Sequence, residues 1–399
     1  MRQTVRANKA ECTGCGACVS ICPKKAIAMQ PDEEGFLYPA VNGDLCVECD
    51  LCEKRCPAGK ELDAHKMHAF GAQHKDETIR RASSSGGVFT ALARGMFAGG
   101  GVVFGAAFDE ALHVEHIGAF DETELAGMRG SKYVQSDAAD AMDNAASLLE
   151  RGIPVLFSGT PCQIAGVKAR VNKKYYDQLL TVDFVCHGVP SPGVFASYLS
   201  ELEKKNGKRV AAYTFRDKRK GWADFSAVAT FEDGTEHNGQ QTTEPFLYGF
   251  LQNLYLRPSC TQCTQLRGER HVSDITIADL WGAQAICPDR NDDTGLSLVF
   301  VNTSKGRKAL EAAGAQLTVF PIQDTDRLLR VNPSIVHTAS AHAKRKAFFA
   351  FYKKNGFDSD YVMKLLAGPS RLERIVRRIA HLPKGLVRRI GVLCSKLGK

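Results

Sequence analysis

Cys12, Cys15, Cys18 and Cys22 are spaced C-x2-C-x2-C-x3-C and are followed by Pro23. Cys46, Cys49, Cys52 and Cys56 repeat the spacing and are followed by Pro57. Three thiolates two residues apart can wrap three corners of one cubane, and the fourth, before proline, is aimed at the neighbouring cluster. The spacing therefore groups Cys12, Cys15, Cys18 and Cys56 around one 4Fe–4S cluster, and Cys46, Cys49, Cys52 and Cys22 around a second. Gly14 and Gly16 let the backbone turn tightly and point amides at sulfur. Two zinc sites built from paired C-x2-C knuckles are the alternative. The doubled pattern, each half ending in Cys-Pro, argues against them and implies one-electron chemistry.

The other six cysteines are less eloquent. Cys162 stands in Ser158-Gly-Thr-Pro-Cys-Gln163, where a strand turns into a helix, and Cys186 ends a strand in Asp183-Phe-Val-Cys-His-Gly188. Cys260 and Cys263 form a C-x2-C. Strand ends are where an α/β sheet holds ligands, so these four could share a third site. On spacing alone they read equally as core cysteines, a zinc knuckle or a redox pair. Cys287 and Cys394 read as ordinary cysteines.

Bulk properties set the frame. The chain has 399 residues and 14 cysteines, with no apolar signal core after Met1. A cytoplasmic protein with reduced thiols is expected, which favours metal or redox use over disulfides. The most apolar run, 87–108, is interrupted by Arg94 and several glycines and is rejected as a membrane span. The net charge of +8 is concentrated: residues 371–399 carry nine Lys or Arg against the single Glu373. The rest of the chain is balanced, and no nucleic-acid face is implied.

These residues need elements to hold them. Residues 1–60 look like ligand loops. Strands are expected at 67–73, 101–108, 113–120, 153–157 and 180–185, with helices starting after Ser83-Ser84-Ser85-Gly86-Gly87, over 137–151 and over 163–171. The alternation of strand and helix predicts an α/β body with a largely buried sheet. From Tyr213 to Phe231 the pattern becomes alternating strands with a turn at Asp233-Gly234. Further strands fall at 271–279 and 297–302, and 343–395 looks helical.

Five motifs in order then resemble one known family: Ser158-Gly-Thr-Pro-Cys-Gln-Ile-Ala-Gly166, Val182-Asp-Phe-Val-Cys-His-Gly-Val-Pro-Ser-Pro192, Phe215-Arg-Asp-Lys218 with Gly221-Trp222, Cys260-x-x-Cys263, and Asp274-Ile with Asp279-Leu-Trp-Gly282. They are similar to the coenzyme F420 hydrogenase/dehydrogenase beta-subunit family, over about residues 65–340. The resemblance implies three units. Residues 1–62 form an α+β ferredoxin-like head with two 4Fe–4S clusters, 65–340 an α/β flavoprotein body, and 343–399 a helical basic C-terminal segment. It also implies a third 4Fe–4S cluster on Cys162, Cys186, Cys260 and Cys263, and a bound FAD.

For the flavin, Ser84, Ser85, Gly86 and Gly87 open a helix whose free amides suit a phosphate; a plain N-cap is the other reading. Ser131, Lys132 and Tyr133 lie in a stretch that resembles a family motif, and Lys132 could stabilise the anion of reduced flavin. Thr160 and Gln163 flank Cys162 and complete the expected flavin set. His187 is the candidate catalytic residue, as a proton relay, against the commoner role of a core hydrogen bond. Arg216, Asp279 and Trp281 sit in motifs but are as well explained by structure.

The expected reaction is an electron transfer from a ferredoxin-like donor through the clusters to FAD and on to a two-electron small-molecule acceptor, with coenzyme F420 one candidate. A non-enzymatic electron-transfer subunit of a larger redox complex is the alternative, and a redox sensor with structural clusters a more distant one. The basic tail could lie on the inner face of a membrane, dock an acidic donor, or form a solvated face of the body.

Overall fold

The structure, a computed structural model, describes residues 8–60, 65–66, 68–263, 265 and 270–367. The basic segment 371–399 and Cys394 lie outside the described residues. In the head, a short helix Ala17–Ser20 precedes a hairpin of β1 (Ile27–Pro31) and β2 (Leu37–Val41), and a second helix covers Leu51–Arg55. The hairpin was not expected from the sequence, because ligand-loop composition masks the alternation that marks a strand.

The body is built on an eight-stranded sheet. Its strands are β3 (His68–His74), β4 (Val102–Phe108), β5 (Val114–Ala119), β6 (Val155–Gly159), β7 (Leu179–Phe184), β11 (Ile275–Asp279), β12 (Ser297–Val301) and β13 (Leu317–Pro321). Between β7 and β11 the chain forms a separate antiparallel sheet of β8 (Val210–Asp217), β9 (Ser226–Phe231) and β10 (Glu236–Gln240), turned at Asp233-Gly234. Across the large sheet the order is β13-β3-β12-β11-β7-β6-β4-β5. Only the four strands β11, β7, β6 and β4 run parallel, and every other pairing is antiparallel. The sheet is thus mixed, in place of a plain alternating parallel sheet. Val155, Leu156 and Phe157 are wholly buried, as a central parallel strand covered on both faces requires.

Helices Val88–Ala98, Ala139–Glu150 and Pro161–Arg170 connect the parallel strands. The last starts with Pro161 at its first position and a reciprocal capping box between Thr160 and Gln163, which sets the turn where Cys162 stands. The small sheet packs on helix Pro192–Asn206 through an aromatic core that includes Phe195, Tyr198, Tyr213, Phe215 and Phe246. Helices Arg345–Asn355 and Ser359–Leu366 close the same core with Phe348, Phe349 and Val362. No helix among the described residues is long and apolar enough to cross a membrane.

Head and body interlock through buried polar contacts. The Leu37 amide donates to Gln135 Oε1 (3.0 Å), Gly193 N donates to Gly35 O (3.2 Å), Ser191 Oγ donates to Glu34 O (2.6 Å), and Arg345 pairs with Glu34 (2.5 Å). Gly16 lies against the start of helix Ala139–Glu150, where a Cβ would come within 3.0 Å of the Ala139 amide. That close approach brings the first cluster loop onto the body.

Candidate functional site

The eight head cysteines gather in two places. One small cavity is lined by Cys12, Cys15, Cys18 and Cys56, and another by Cys22, Cys46, Cys49 and Cys52. These are the two ligand sets expected from the crossed spacing. Gly14 and Gly16 take φ of 66° and 87°, a region that favours glycine. Burial pushes the Cys15 thiol up to about 12, and the charges of Cys162, Cys56 and Cys12 add to it. Burial likewise raises Cys18, with Cys15, Cys12, Cys56 and Cys52 contributing.

The four scattered cysteines also meet. Burial raises Cys162, and Cys263 adds to the shift; burial raises Cys186 well above its usual range, with Cys260, Cys162 and Cys263 adding. Cys260 is pushed to about 12 by burial and by Cys162 and Cys263. A Cβ on Gly188 would stand 3.4 Å from Cys260 Cβ, which shows how closely the loop after Cys186 approaches the C-x2-C. Thiols that disfavour one another's ionisation form a set that calls for a cation, and soft thiolates suit iron. No three His, Cys, Asp or Glu side chains among the described residues close around a single-ion position; the thiols instead stand around a shared centre. Cys287 has Arg290 beside it and joins none of these sets.

The three sets are contiguous. Cys52 feels Cys22 and Cys18 feels Cys52, linking the two head sets. Cys15 feels Cys162, and a Cβ on Gly166 would lie 3.3 Å from Cys15 Sγ, linking head to body. Cys162 Sγ then contacts Thr160 Oγ1 at 3.1 Å, and Thr160 forms part of the wall of a cleft.

That cleft encloses about 1230 Å³ of space free of protein atoms and lies at the carboxyl ends of β4, β6, β7 and β11, where open α/β sheets bind ligands. Ser84, Ser85, Gly87, Ser131, Lys132, Tyr133, Thr160 and Gln163 all line it. Gly86 does not, but it sets the loop: its amide donates to Ser297 Oγ (2.9 Å) and its carbonyl accepts from His74 N (2.7 Å). Helix Val88–Ala98 starts at Gly87, in a left-handed turn with no side-chain cap and no acid in the first turn, so its first amides face the cleft uncontested. Ser84 Oγ meets Ser131 Oγ at 2.8 Å, joining the two loops. Thr160 and Gln163 hydrogen-bond each other, and Gln163 Nε2 donates to Ser136 O (3.4 Å), so both act mainly in shaping the wall.

Lys132 Nζ donates to the carbonyls of Gly127 (2.7 Å) and Arg129 (2.9 Å), and burial lowers its pKa to about 7. Lys218, also lowered to about 7 by burial, donates to the carbonyls of Arg80, Ser85 and Thr294. It stands under the serine–glycine loop.

His187 is not among the residues lining the cleft. Its ring meets Phe250 edge-on at 5.2 Å, and burial lowers its pKa. His116, which the sequence did not single out, does line the cleft. Its Nδ1 meets Ser136 Oγ (2.7 Å) and its Nε2 meets Ser158 O (2.9 Å). Burial lowers it to about 4, so it is neutral, and the carbonyl partner puts its proton on Nε2. A lone His in an alternating strand carries no local signal of this.

The motif acids divide by role. Asp279 lines the cleft and binds Arg216 (2.8 and 3.2 Å) and Trp222 Nε1 (2.8 Å). Arg216 Nη1 also donates to Tyr133 OH (3.3 Å), and Trp222 stacks on Trp281 at 5.0 Å. Asp274 instead pins Thr181 and Thr303 between strands.

Comparison with known proteins agrees with this arrangement. Residues 154–325 match the family model for the C terminus of the coenzyme F420 hydrogenase/dehydrogenase beta subunit, and residues 11–60 match the 4Fe-4S dicluster domain. The F(420)H(2) dehydrogenase of Methanosarcina mazei has a subunit that is 25% identical over 333 residues, covering 77% of this chain and 84% of that protein. The VorC subunit of ketoisovalerate oxidoreductase from Methanothermobacter marburgensis is 33% identical over 63 residues, 15% of this chain and 76% of its own length. A solved F420-reducing NiFe hydrogenase complex from Methanosarcina barkeri has a chain that aligns at 18% identity and a TM-score of 0.47, covering 69% of this chain and 92% of that one. With five motifs in order, both family models and the head's paired cysteine sets in agreement, the chain belongs to the coenzyme F420 hydrogenase/dehydrogenase beta-subunit family and carries a 4Fe–4S dicluster domain at its head.

Proposed function

We propose that the chain is a flavin-dependent iron–sulfur oxidoreductase, working as one subunit of a larger redox assembly. Electrons enter from a ferredoxin-like donor at the head and leave, from the cleft, on a two-electron small-molecule acceptor. The observation that carries this is contiguity: the outer head set, the inner head set, the four body cysteines and the wall of the cleft follow one another without a gap. Bound 4Fe–4S clusters supply one-electron steps, and bound FAD joins single electrons into pairs.

The chain's own residues do the rest. Twelve cysteines hold three clusters: Cys12, Cys15, Cys18 and Cys56; Cys22, Cys46, Cys49 and Cys52; and Cys162, Cys186, Cys260 and Cys263. Cys49 is exposed and marks the side of entry. The amides at the start of helix Val88–Ala98, with the hydroxyls of Ser84 and Ser85, receive phosphate oxygens. Phe184 and Phe89 offer apolar surface for a flat ring. A second cavity shares Ser83, Ser84, Arg129, Ser131 and Lys132 with the cleft and gives an acceptor room beside the flavin. Coenzyme F420 is the first acceptor to try, from the family's description.

The test is anaerobic purification with iron, sulfide and flavin counted per chain. About twelve irons with one FAD are expected. About eight irons and no flavin would end the account of the body.

Lys132 adds a pH signature. Its charge is present below about 7 and lost above, so binding of anionic FAD to flavin-free protein weakens as pH rises through that range. Flavin fluorescence titrations at pH 6 and pH 9 measure this. Lys132→Met should lose its share of the dependence, with Lys218 responsible for the remainder. Identical pH profiles in the variant and the wild type would remove Lys132 from the flavin site.

A further inference from the structure

We infer that Arg257 is a buried counter-cation shared by the inner head cluster and the adjoining body cluster, placed so as to raise the reduction potential of both. The inference rests on reading Cys12, Cys15, Cys18 and Cys56, and Cys162, Cys186, Cys260 and Cys263, as cluster ligands.

Arg257 is 1% exposed. Its Nε donates to Cys12 O at 2.9 Å, its Nη1 to Leu37 O and to Gln135 Oε1 at 3.0 Å each, and its Nη2 faces Cys12 Sγ at 3.8 Å. The guanidinium lies 3.9 Å over the Tyr38 ring. On the other side its own carbonyl accepts from Cys260 N at 3.0 Å. One residue of the body therefore touches a ligand of each set.

None of these partners is a carboxylate. A buried guanidinium is expensive unless opposite charge lies close, and what lies close is thiolate. Arg257 acts on Cys162 and on Cys260 in the direction that favours their anions. A cubane with four thiolate ligands is net negative and becomes more so on taking an electron, so a fixed cation beside it favours the reduced state. The position is sterically enforced. A Cβ on Gly14 would come within 2.8 Å of Arg257 Nη1 and 2.9 Å of its Cζ, so only glycine lets the first ligand loop close over the guanidinium.

Arg257 is a positioning and tuning residue, and its readout is a potential rather than a rate. The full chain is reconstituted anaerobically, its iron is counted, and each cluster is titrated potentiometrically with EPR detection, in the wild type, Arg257→Gln and Arg257→Lys. With iron unchanged, Arg257→Gln should lower the equilibrium constant for one-electron reduction of at least one of the two clusters about tenfold, a fall of about 59 mV. The outer cluster should not move, and Arg257→Lys should recover most of the loss. Equal potentials in the wild type and Arg257→Gln overturn the inference, as does an equal fall in both variants, which would make Arg257 a strut. If Arg257→Gln sheds iron while Arg257→Lys keeps it, the need for positive charge is met in cluster retention; loss of iron in both overturns it. Eight irons in the wild type would remove the body cluster and the proposed function with it, while the test on the inner head cluster would still stand.

Discussion

Cys162→Ala should remove about four of some twelve irons per chain and leave both head clusters in place. Cys162 is the thiol that connects everything: it feels Cys263 within its own set, it is felt by Cys15 in the head, and it touches Thr160 on the cleft wall. Alanine withdraws one of four ligands and adds no bulk at the start of helix Pro161–Arg170, whose capping box does not use the thiol. Loss of an outer-shell partner costs a metal site roughly 10–100-fold, and loss of a ligand should cost more. Reduction of the flavin by a reduced donor through the head should therefore fall by more than about a hundredfold. Direct chemical reduction of the flavin should persist, because the cleft is intact. Iron analysis and stopped-flow flavin bleaching measure the two effects. Full iron retention with normal flavin reduction would place the electron path elsewhere.

Gly86→Ala should empty the cleft while sparing the head. A Cβ at this position would come within 2.4 Å of Ala72 O and 2.7 Å of Ser297 N, both backbone atoms of adjacent strands. Neither can rotate away, so the loop that carries Ser84 and Ser85 must shift. Overpacking of this kind costs about 1–3 kcal/mol, and the shift breaks the alignment of the amides that open helix Val88–Ala98. Flavin affinity should fall at least about tenfold, equivalent to about 1.4 kcal/mol, and the denaturation midpoint should drop. The head clusters, held by their own loops, should keep their iron. A variant with wild-type flavin content and midpoint would show that this loop does not set the flavin site.

Much of the chemistry is legible along the chain. The eight head cysteines group as their crossed spacing predicts, because a loop of two or three residues between thiols restricts which corners they can reach. The parallel strands of the body appear within a residue or two of their expected positions, since a short apolar run between turn residues is a strong local signal. The serine–glycine loop, the Arg129-Gly-Ser-Lys-Tyr133 stretch and the Thr160 turn were each singled out by composition or motif, and all three border one cleft.

Other features exist only once the chain is folded. The antiparallel pairings of β3, β12 and β13 join segments more than 200 residues apart, and strand pattern says nothing of the partner. His116 becomes a neutral cleft residue only because Ser136 and Ser158 meet its two nitrogens. Arg257 is an ordinary arginine before a Pro-Ser-Cys in the sequence. It becomes a buried cation between two cysteine sets because the head, 245 residues away, packs its Cys12 carbonyl onto it. Covalent spacing and hydrophobic period are local, so they specify which residues can ligate and where strands and helices lie. Which ligand sets adjoin, which glycines are closed in by remote backbone and which charges are shared follow from packing, because they depend on closing long loops whose energy is spread over the whole core.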